Sequence, residues 1–490
     1  TAVLRVPRRG LKTAPSKQAW APRSGSMTVC TKASPCVVAF GGWGLSDSLN
    51  SPSHKLAKLL RGINAGRSNV SWHLSHRGVA DWMADRSART AVWAATAQNT
   101  GNNVWNYGAL DLLDSERTIV RSTRELLGNK TTLPQPPVAF VLPVANLLMP
   151  HSRGHKETRI PSSITRQMRA LTAIVERLAV PTLLVGIGVQ VGFTETKAHG
   201  ADSGYSGNDA SVKEYEAQRR KRAAVRGLNR SALLLNKEQR HFLDAFTAHT
   251  RHGTRNVAVR GDVSAEVCLN SGVAGCVSLG CPSLMLSRDD ALGASLQAKW
   301  TALAARPRQG APPLRLAFGL PALWSDELAH LLVSAGREHP DFIVVLQMEG
   351  DVGSVDRLRE MGLHVHNSQV RLFDSVAEWV ATLATCDVYI GARIHGGLAA
   401  TAASTPAVVV ATDMRMDELA RRVGLPTVRA MSLSARPSFR AFLNQHAASF
   451  NGTAFDRNRR EIARGYVKIF RALGVPAGWH VRKIAGGEAL

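Results

Sequence analysis

Short apolar runs alternate with amphipathic stretches in two successive series along the 490 residues. That alternation restricts the fold more than any other feature. The first series holds PVAFVLPVANLL, ITRQMRALTAIVERLAV, PTLLVGIGVQ, NKEQRHFLDAFTAHT, NVAVR, SAEVCLNSG and VSLGCPSLML. The second holds LRLAFGL, SDELAHLLVSAGREH, FIVVLQM, VDRLREMG, HVHN, SVAEWVATLATC, DVYIG and PAVVVAT. Continuous apolar runs of this length read as strands buried on both faces, and three-and-four apolar spacing reads as helices laid over them. Strand–helix alternation predicts α/β domains with parallel sheets. A Pro/Gly/Arg-rich linker, inside residues 287–312, divides the two series. The expected organisation is a basic targeting or stem segment over 1–37, a Rossmann-like domain over 38–305, a second over 306–430, and a helical tail over 431–490. Two Rossmann-like domains facing each other across an inter-domain cleft form a GT-B-like architecture, with ligands at the carboxyl ends of the strands.

Composition narrows the partners. Lys and Arg total 61 against 37 Asp and Glu, a formal charge of +24 that favours anions. Nucleic acid is not expected. The basic residues form two clusters, residues 1–46 and RRKRAAVRGLNR (Arg219–Arg230), and aromatics are only 6%, too sparse for base stacking. No run is long and apolar enough to cross a bilayer, so an anchor would lie upstream of Thr1. Cys30, Cys36, Cys268, Cys276, Cys281 and Cys386 make no CxxC pair and no zinc spacing, so no metal is expected. They read as buried free thiols, with one disulfide left open. Asn69, Asn129, Asn229 and Asn451 stand in Asn-x-Ser/Thr sites. The compartment stays undecided: the acid-poor start suits a plastid.

Two strand ends carry the chemistry. In DVYIGARIHGG (Asp387–Gly397) a strand breaks at Gly391, and a helix-prone stretch follows Arg393, His395 and two glycines. Free N–H groups at a helix start favour an anion, Arg393 adds a planar cationic fork, and His395 adds a proton carrier. The plainer alternative is that Arg393 caps the helix or pairs with a carboxylate. NVAVRGDVSAEVC repeats the pattern: Arg260 ends a strand, and Asp262 or Ser264 is the expected cap. Here the alternative is a pair with Asp262 or Glu266. Asn102, Asn103, Trp105, Asn106 and Asn146 form a candidate sugar-binding cluster, though each alone also suits a turn. Asp47 and Asp111 are candidate bases. Gln347, His364 and His366 lie near strand ends, with core or capping roles for the two histidines.

These segments resemble the polysaccharide pyruvyl transferases in order and spacing over roughly residues 100–425, most specifically in the G-x-R-x-H-G element at Gly391–Gly396. The sequence departs from the family twice. Many members have Gly-Asp-Pro where Gly280-Cys281-Pro282 stands, and Ala109 replaces the acid of the N-terminal Gly-Asn loop. The resemblance implies a GT-B-like enzyme that transfers the pyruvyl group of phosphoenolpyruvate onto two hydroxyls of a glycan sugar, as a ketal, with release of phosphate. It implies that Arg260, Arg393, Ile394 and His395 contact phosphoenolpyruvate, that His395 is catalytic, and that no cofactor is needed beyond that co-substrate. In a eukaryote it implies the Golgi lumen. Two other readings compete. One is a sugar-nucleotide-dependent glycosyltransferase of the same fold, with Glu349 as its only good ribose-binding carboxylate. The other is a non-catalytic basic protein that binds acidic glycan or nucleic acid.

Overall fold

The computed structural model describes residues 37–41, 101–114, 118–122, 139–144, 147–152, 160, 162–189, 232–248, 250, 254–307, 310–321, 325–347, 351–373, 376–434 and 438–486. The first domain contains β1 (Val37–Gly41), α1 (Gly101–Asp111), β2 (Thr118–Ser122), β3 (Ala139–Pro143), β4 (His151–Ser152), α2 (Ser162–Leu178), β5 (Thr182–Ile187), β6 (Leu233–Leu234), α3 (Lys237–Ala248), β7 (Val257–Val259), α4 (Asp262–Asn270) and β8 (Cys276–Ser278). Six strands form a parallel sheet in the order β2-β1-β3-β5-β7-β8, and β4 pairs antiparallel with β6. A 3₁₀ turn at Pro282–Met285 and α5 (Leu292–Ala305) lead to the second domain.

That domain runs β9 (Leu316–Gly319), α6 (Asp326–Glu338), β10 (Phe342–Leu346), α7 (Asp351–Glu360), β11 (Val370–Leu372), α8 (Val376–Leu383), β12 (Val388–Gly391), α9 (Ile394–Ala402), β13 (Ala407–Ala411), α10 (Met414–Val423) and β14 (Thr427–Arg429). Its sheet is parallel, in the order β11-β10-β9-β12-β13-β14. The strand order reverses between β9 and β12, the place where an open α/β sheet leaves a crevice at its carboxyl edge. The apolar runs LAFG, FIVVL, VYIG and AVVVA are buried along their whole length, as strands covered on both faces must be. Ser325 caps α6 by accepting from the Leu328 N–H, as its position predicts.

The chain then forms α11 (Phe439–Ser449), α12 (Gly452–Leu473) and α13 (Trp479–Ala485). These helices return to the first domain. Arg459 of α12 is buried and donates to the carbonyls of Leu284, Ser287 and Asp289. Gly478 N donates to Leu112 O at 2.8 Å.

Three local expectations change. GNNVWNYGALD is not a loop feeding a helix; it is the helix α1 itself, because its Val, Trp and Ala faces are buried and Gly108 lets it lie against the backbone of Pro282 and Ser283. HVHN forms no strand. His366 instead caps a 3₁₀ turn through Gln369, and β11 starts at Val370. Finally, α9 begins at Ile394 and includes Gly396 and Gly397. Those glycines are there for packing: a Cβ on Gly396 would lie 2.2 Å from the Tyr389 hydroxyl. Residues 1–36, the insertion at 194–211 and the Arg219–Arg230 cluster lie outside the described residues.

Candidate active site

Arg393 stands at the cap position of α9, directly after β12 and beside the end of β9. Its Nε donates to Leu320 O at 2.9 Å, and its fork bonds Asp351. Asp351 is fully buried at the start of α7 and accepts from Gln347 N through its other oxygen at 2.7 Å. The Tyr389 hydroxyl donates to Arg393 O at 3.1 Å, in space left by Gly319 and Gly396. Backbone and side chain of Arg393 are therefore both fixed at the reversal of the sheet. The carboxylate alternative for Arg393 is the geometry found, and the remaining N–H groups of its fork are still suited to an anion.

Arg260 follows β7 and is 4% exposed. It crosses the face of Gly188, where a Cβ would lie 1.8 Å from its Nε. The glycine of PTLLVGIGVQ thus clears the path of the arginine. Neither Asp262 nor Ser264 caps α4. Gly261 occupies the cap position without a side chain, and the capping anion comes from the other domain. Glu418 of α10 accepts from Ser264 N at 2.6 Å and from Ser264 Oγ at 3.1 Å. Ser264 Oγ in turn accepts from Val189 N at 3.1 Å. A carboxylate at a helix N-terminus is stabilised by free N–H groups and the helix dipole. Glu418 therefore joins the domains beside Arg260. Arg422, one turn later on α10, adds a second link through Ser278 O and Oγ.

His395 lies in the first turn of α9 and is half-buried. The helix α9 packs on α1 and on the Pro282–Met285 turn of the first domain, which brings the ring to the domain boundary. Its pKa is pushed down to about 3, first by burial and then by the positive charges of Arg415, Arg260 and Arg393. No carboxylate is among the charges that act on the ring. Asp351 is bound to Arg393, Asp413 to Arg415 at 3.0 Å, and Glu418 to Ser264. The charges that act on the ring are therefore the arginines, and each nearby acid has a partner of its own. Arg260 itself is lowered to about 10 by burial and by Arg415, against the opposing pull of Glu418 and Asp413. Three cations from two domains acting on a neutral imidazole are chemistry suited to a small anion with a proton carrier beside it.

Residues 235–414 match the family model of the polysaccharide pyruvyl transferases. The pyruvyl transferase match takes in Arg260, Arg393, Ile394 and His395, and stops just short of Arg415 and Glu418. No curated protein matches the chain. Among solved structures, the glycotransferase of kitacinnamycin is 13% identical, covering 92% of this chain and 98% of that one, with a TM-score of 0.32. The UDP-GlcNAc 2-epimerase of Neisseria meningitidis, bound to UDP-GlcNAc, is 11% identical over 88% of this chain and 99% of that one, with a TM-score of 0.29. Likeness this low says nothing about activity. The two doubly wound parallel sheets with flanking helices establish the α/β class that the sequence predicts.

The other expected positions divide. Ile394 is half-buried and packs on the main core. Asn102 is half-buried at the start of α1, and Asn106 is fully buried with neither amide atom bonded. The Asn103 side chain and Asn146 lie outside the described residues, as do Asp47 and Glu349. Trp105 is core, stacked over Gly186. Asp111 is held by Arg288 at 2.6 Å, and its other oxygen lies 3.0 Å from His480 Nε2. Gln347 is buried and presents its N–H to Asp351, whereas His364 and His366 are exposed edge to face. Cys268, Cys276, Cys281 and Cys386 are buried and unbridged. Burial raises the Cys281 thiol to about 11, so it stays protonated near Arg260. Among the described residues there is no group of three or more potential metal ligands, and no helix is long and apolar enough to cross a membrane. Sequence reading missed Arg415, Asp413, Glu418 and Asp351. The signal for the first three was present: PAVVVAT ends at the same sheet edge as VYIG, so the first turns of the next helix reach the same place.

Proposed function

We propose that the protein transfers the pyruvyl group of phosphoenolpyruvate to two hydroxyls of a glycan sugar, forming a cyclic ketal and releasing phosphate. The observation that carries this reading is that three cations from two domains, Arg260, Arg393 and Arg415, act on His395 while no carboxylate does. Phosphoenolpyruvate is small, and it carries a phosphate and a carboxylate that fixed guanidinium groups can hold together. Burial and the three cations keep the imidazole neutral, and the donor's anionic charge offsets the cations. His395 then takes up a proton and delivers it to the methylene carbon, which becomes the methyl group. The electron-deficient neighbouring carbon bonds to one sugar oxygen. The second sugar oxygen displaces phosphate at the same carbon. The two hydroxyls give up two protons: one replaces the proton spent on the methyl group, and the other leaves with phosphate. The arginines stabilise the departing charge, an effect worth about 3 kcal/mol per well-placed donor.

The test is an incubation with phosphoenolpyruvate and galactose-, mannose- and glucose-terminated acceptors, read by mass spectrometry and phosphate release. A ketal-linked pyruvate on one acceptor is expected, absent for His395→Ala and Arg393→Ala. No transfer and no phosphate release with any acceptor, from folded protein, refutes the reaction.

A further inference from the structure

We infer that the outer face of α12, with Trp479 of α13 at one end of it, binds the glycan along stretches that already carry pyruvate ketals. This rests on the reaction proposed above, in which every transfer leaves a carboxylate on the chain. Helical spacing draws the face. Arg457, Arg460, Arg464, Lys468 and Arg471 follow one another at three- and four-residue steps, so they form one row about 21 Å long. Arg460 is half-buried and the others are exposed. Phe455, Ile462, Tyr466 and Leu473 fill the opposite side of the helix and are buried in the core. Like charges at such steps weaken a helix, so the row works against the element that carries it.

The surroundings leave the row cationic. α12 holds two acids. Asp456 is buried and caps α5, accepting from Gly293 N at 2.7 Å and Ala294 N at 3.2 Å, and only Glu461 is exposed. α5, which packs on α12, carries no acid and adds the exposed Lys299. Among the described residues no acid pairs with Arg457, Arg460, Arg464 or Lys468; Arg464 Nε donates to Ala485 O at 2.8 Å. That bond fixes the direction of α13. The chain turns at Gly474 and α13 runs back along α12, so Trp479 stands level with the Arg471 end of the row. Trp479 is 63% exposed, although His480 and Val481 beside it are buried. An open indole suits the apolar face of a sugar ring, and guanidinium groups suit carboxylates. A membrane is disfavoured because the apolar side of α12 is already spent on the core and has none to offer to lipid. A single aromatic side chain disfavours single-stranded nucleic acid. A chain anchored on this face raises the local concentration of its own unmodified sugars near the active site.

The test measures binding of a pyruvylated galactan to the full chain by fluorescence anisotropy, with no phosphoenolpyruvate present. The same galactan with its ketals removed by mild acid is the neutral control, and phosphatidylserine vesicles are the competing anionic surface. The variants combine Arg457→Gln, Arg460→Gln and Lys468→Gln, or Arg457→Lys and Arg460→Lys, with thermal melting to confirm folding. At about 50 mM salt, wild type should bind the pyruvylated chain about tenfold more tightly than the neutral one, and the Gln variant should lose about tenfold while the Lys variant stays close to wild type. Trp479→Ala should weaken binding about threefold. Transfer to a short unmodified acceptor should keep its rate in every variant. Equal binding of the two galactans, or unchanged affinity in the Gln variant, overturns the inference. Binding to the vesicles with none to the galactan overturns it in favour of a membrane. Unchanged affinity in Trp479→Ala overturns the part assigned to the indole. A protein that binds the pyruvylated chain in the expected way, yet transfers nothing from phosphoenolpyruvate, supports this surface and refutes the reaction.

Discussion

Anion binding should bring a proton with it. His395 is held at about 3 by burial and by Arg415, Arg260 and Arg393. The ring is half-buried, so the burial contribution is moderated by water, and the charge contribution is the part that a bound dianion can reverse. Full restoration of the ring to its ordinary value of about 6.5 sets the upper limit: at about pH 5 the free ring is about 1% protonated and the occupied ring about 97%. Proton uptake per ligand is then at most close to one. By linkage, affinity rises by up to about 30-fold between about pH 7.5 and pH 5, at most roughly 2 kcal/mol, and by less to the extent that burial keeps its share of the shift. Sulfate is the clean probe because its own charge stays constant over that range. Calorimetry in two buffers of different ionisation enthalpy measures the proton count directly. His395→Gln should keep sulfate binding and lose the uptake, so the difference between the two proteins isolates the ring from Asp413 and Glu418. Equal uptake in both, at about pH 5, refutes the account of the site as three cations set against one titratable ring.

Asp351→Asn leaves the buried fork of Arg393 without its charge partner; melting should show a loss of about 3 kcal/mol, and the KM for phosphoenolpyruvate should rise. Gly188→Ala puts a methyl group where the Arg260 Nε lies, so phosphate affinity should fall well below wild type in a protein that still folds; unchanged affinity would show that the arginine works from another path. A double-mutant cycle of Ser264→Ala and Glu418→Gln should give a coupling of about 1–3 kcal/mol in denaturant unfolding, whereas additive effects would deny the link between domains. His446, buried against Phe442, is lowered to about 4 by burial. The folded state binds that proton less readily than the unfolded chain, so the contribution is full above about pH 6.5 and is lost as pH falls, by about 3 kcal/mol in total on reaching about pH 4. His446→Leu should flatten the acid limb of the stability curve.

The sheets were legible because buried parallel strands advertise themselves: FIVVL and AVVVA have no polar face to confuse the period. Arg260, Arg393 and His395 were legible because each stands within a few residues of such a strand end. What the sequence concealed was partnership across distance. Asp351 lies 42 positions from Arg393 and Glu418 lies 154 from Ser264, and neither separation leaves a local pattern. The α4 cap was misassigned for the same reason. A free helix N-terminus looks identical in sequence whether its anion is a neighbouring side chain, a ligand, or a carboxylate from another domain. The start of α9 was placed late because glycine is a poor helix former, and the packing of Gly396 against Tyr389 overrode that preference.

The layout separates permanent charge from switchable charge, and the proposed chemistry needs that separation. Each arginine has a fixed acid near it: Asp351 for Arg393, Asp413 for Arg415, and Glu418 for Arg260. This pairing limits the cost of holding three cations partly or wholly out of water, and no acid is among the charges that act on the ring. A carboxylate facing His395 would instead favour the protonated imidazole, against the burial that lowers it. As arranged, an arriving anion offsets the cations and favours protonation of the ring. In the proposed reaction that anion is the molecule whose methylene carbon must receive it. The acid is thus assembled by its own substrate, and Glu418 ties that event to the contact between the two domains, because the carboxylate that joins them stands beside Arg260.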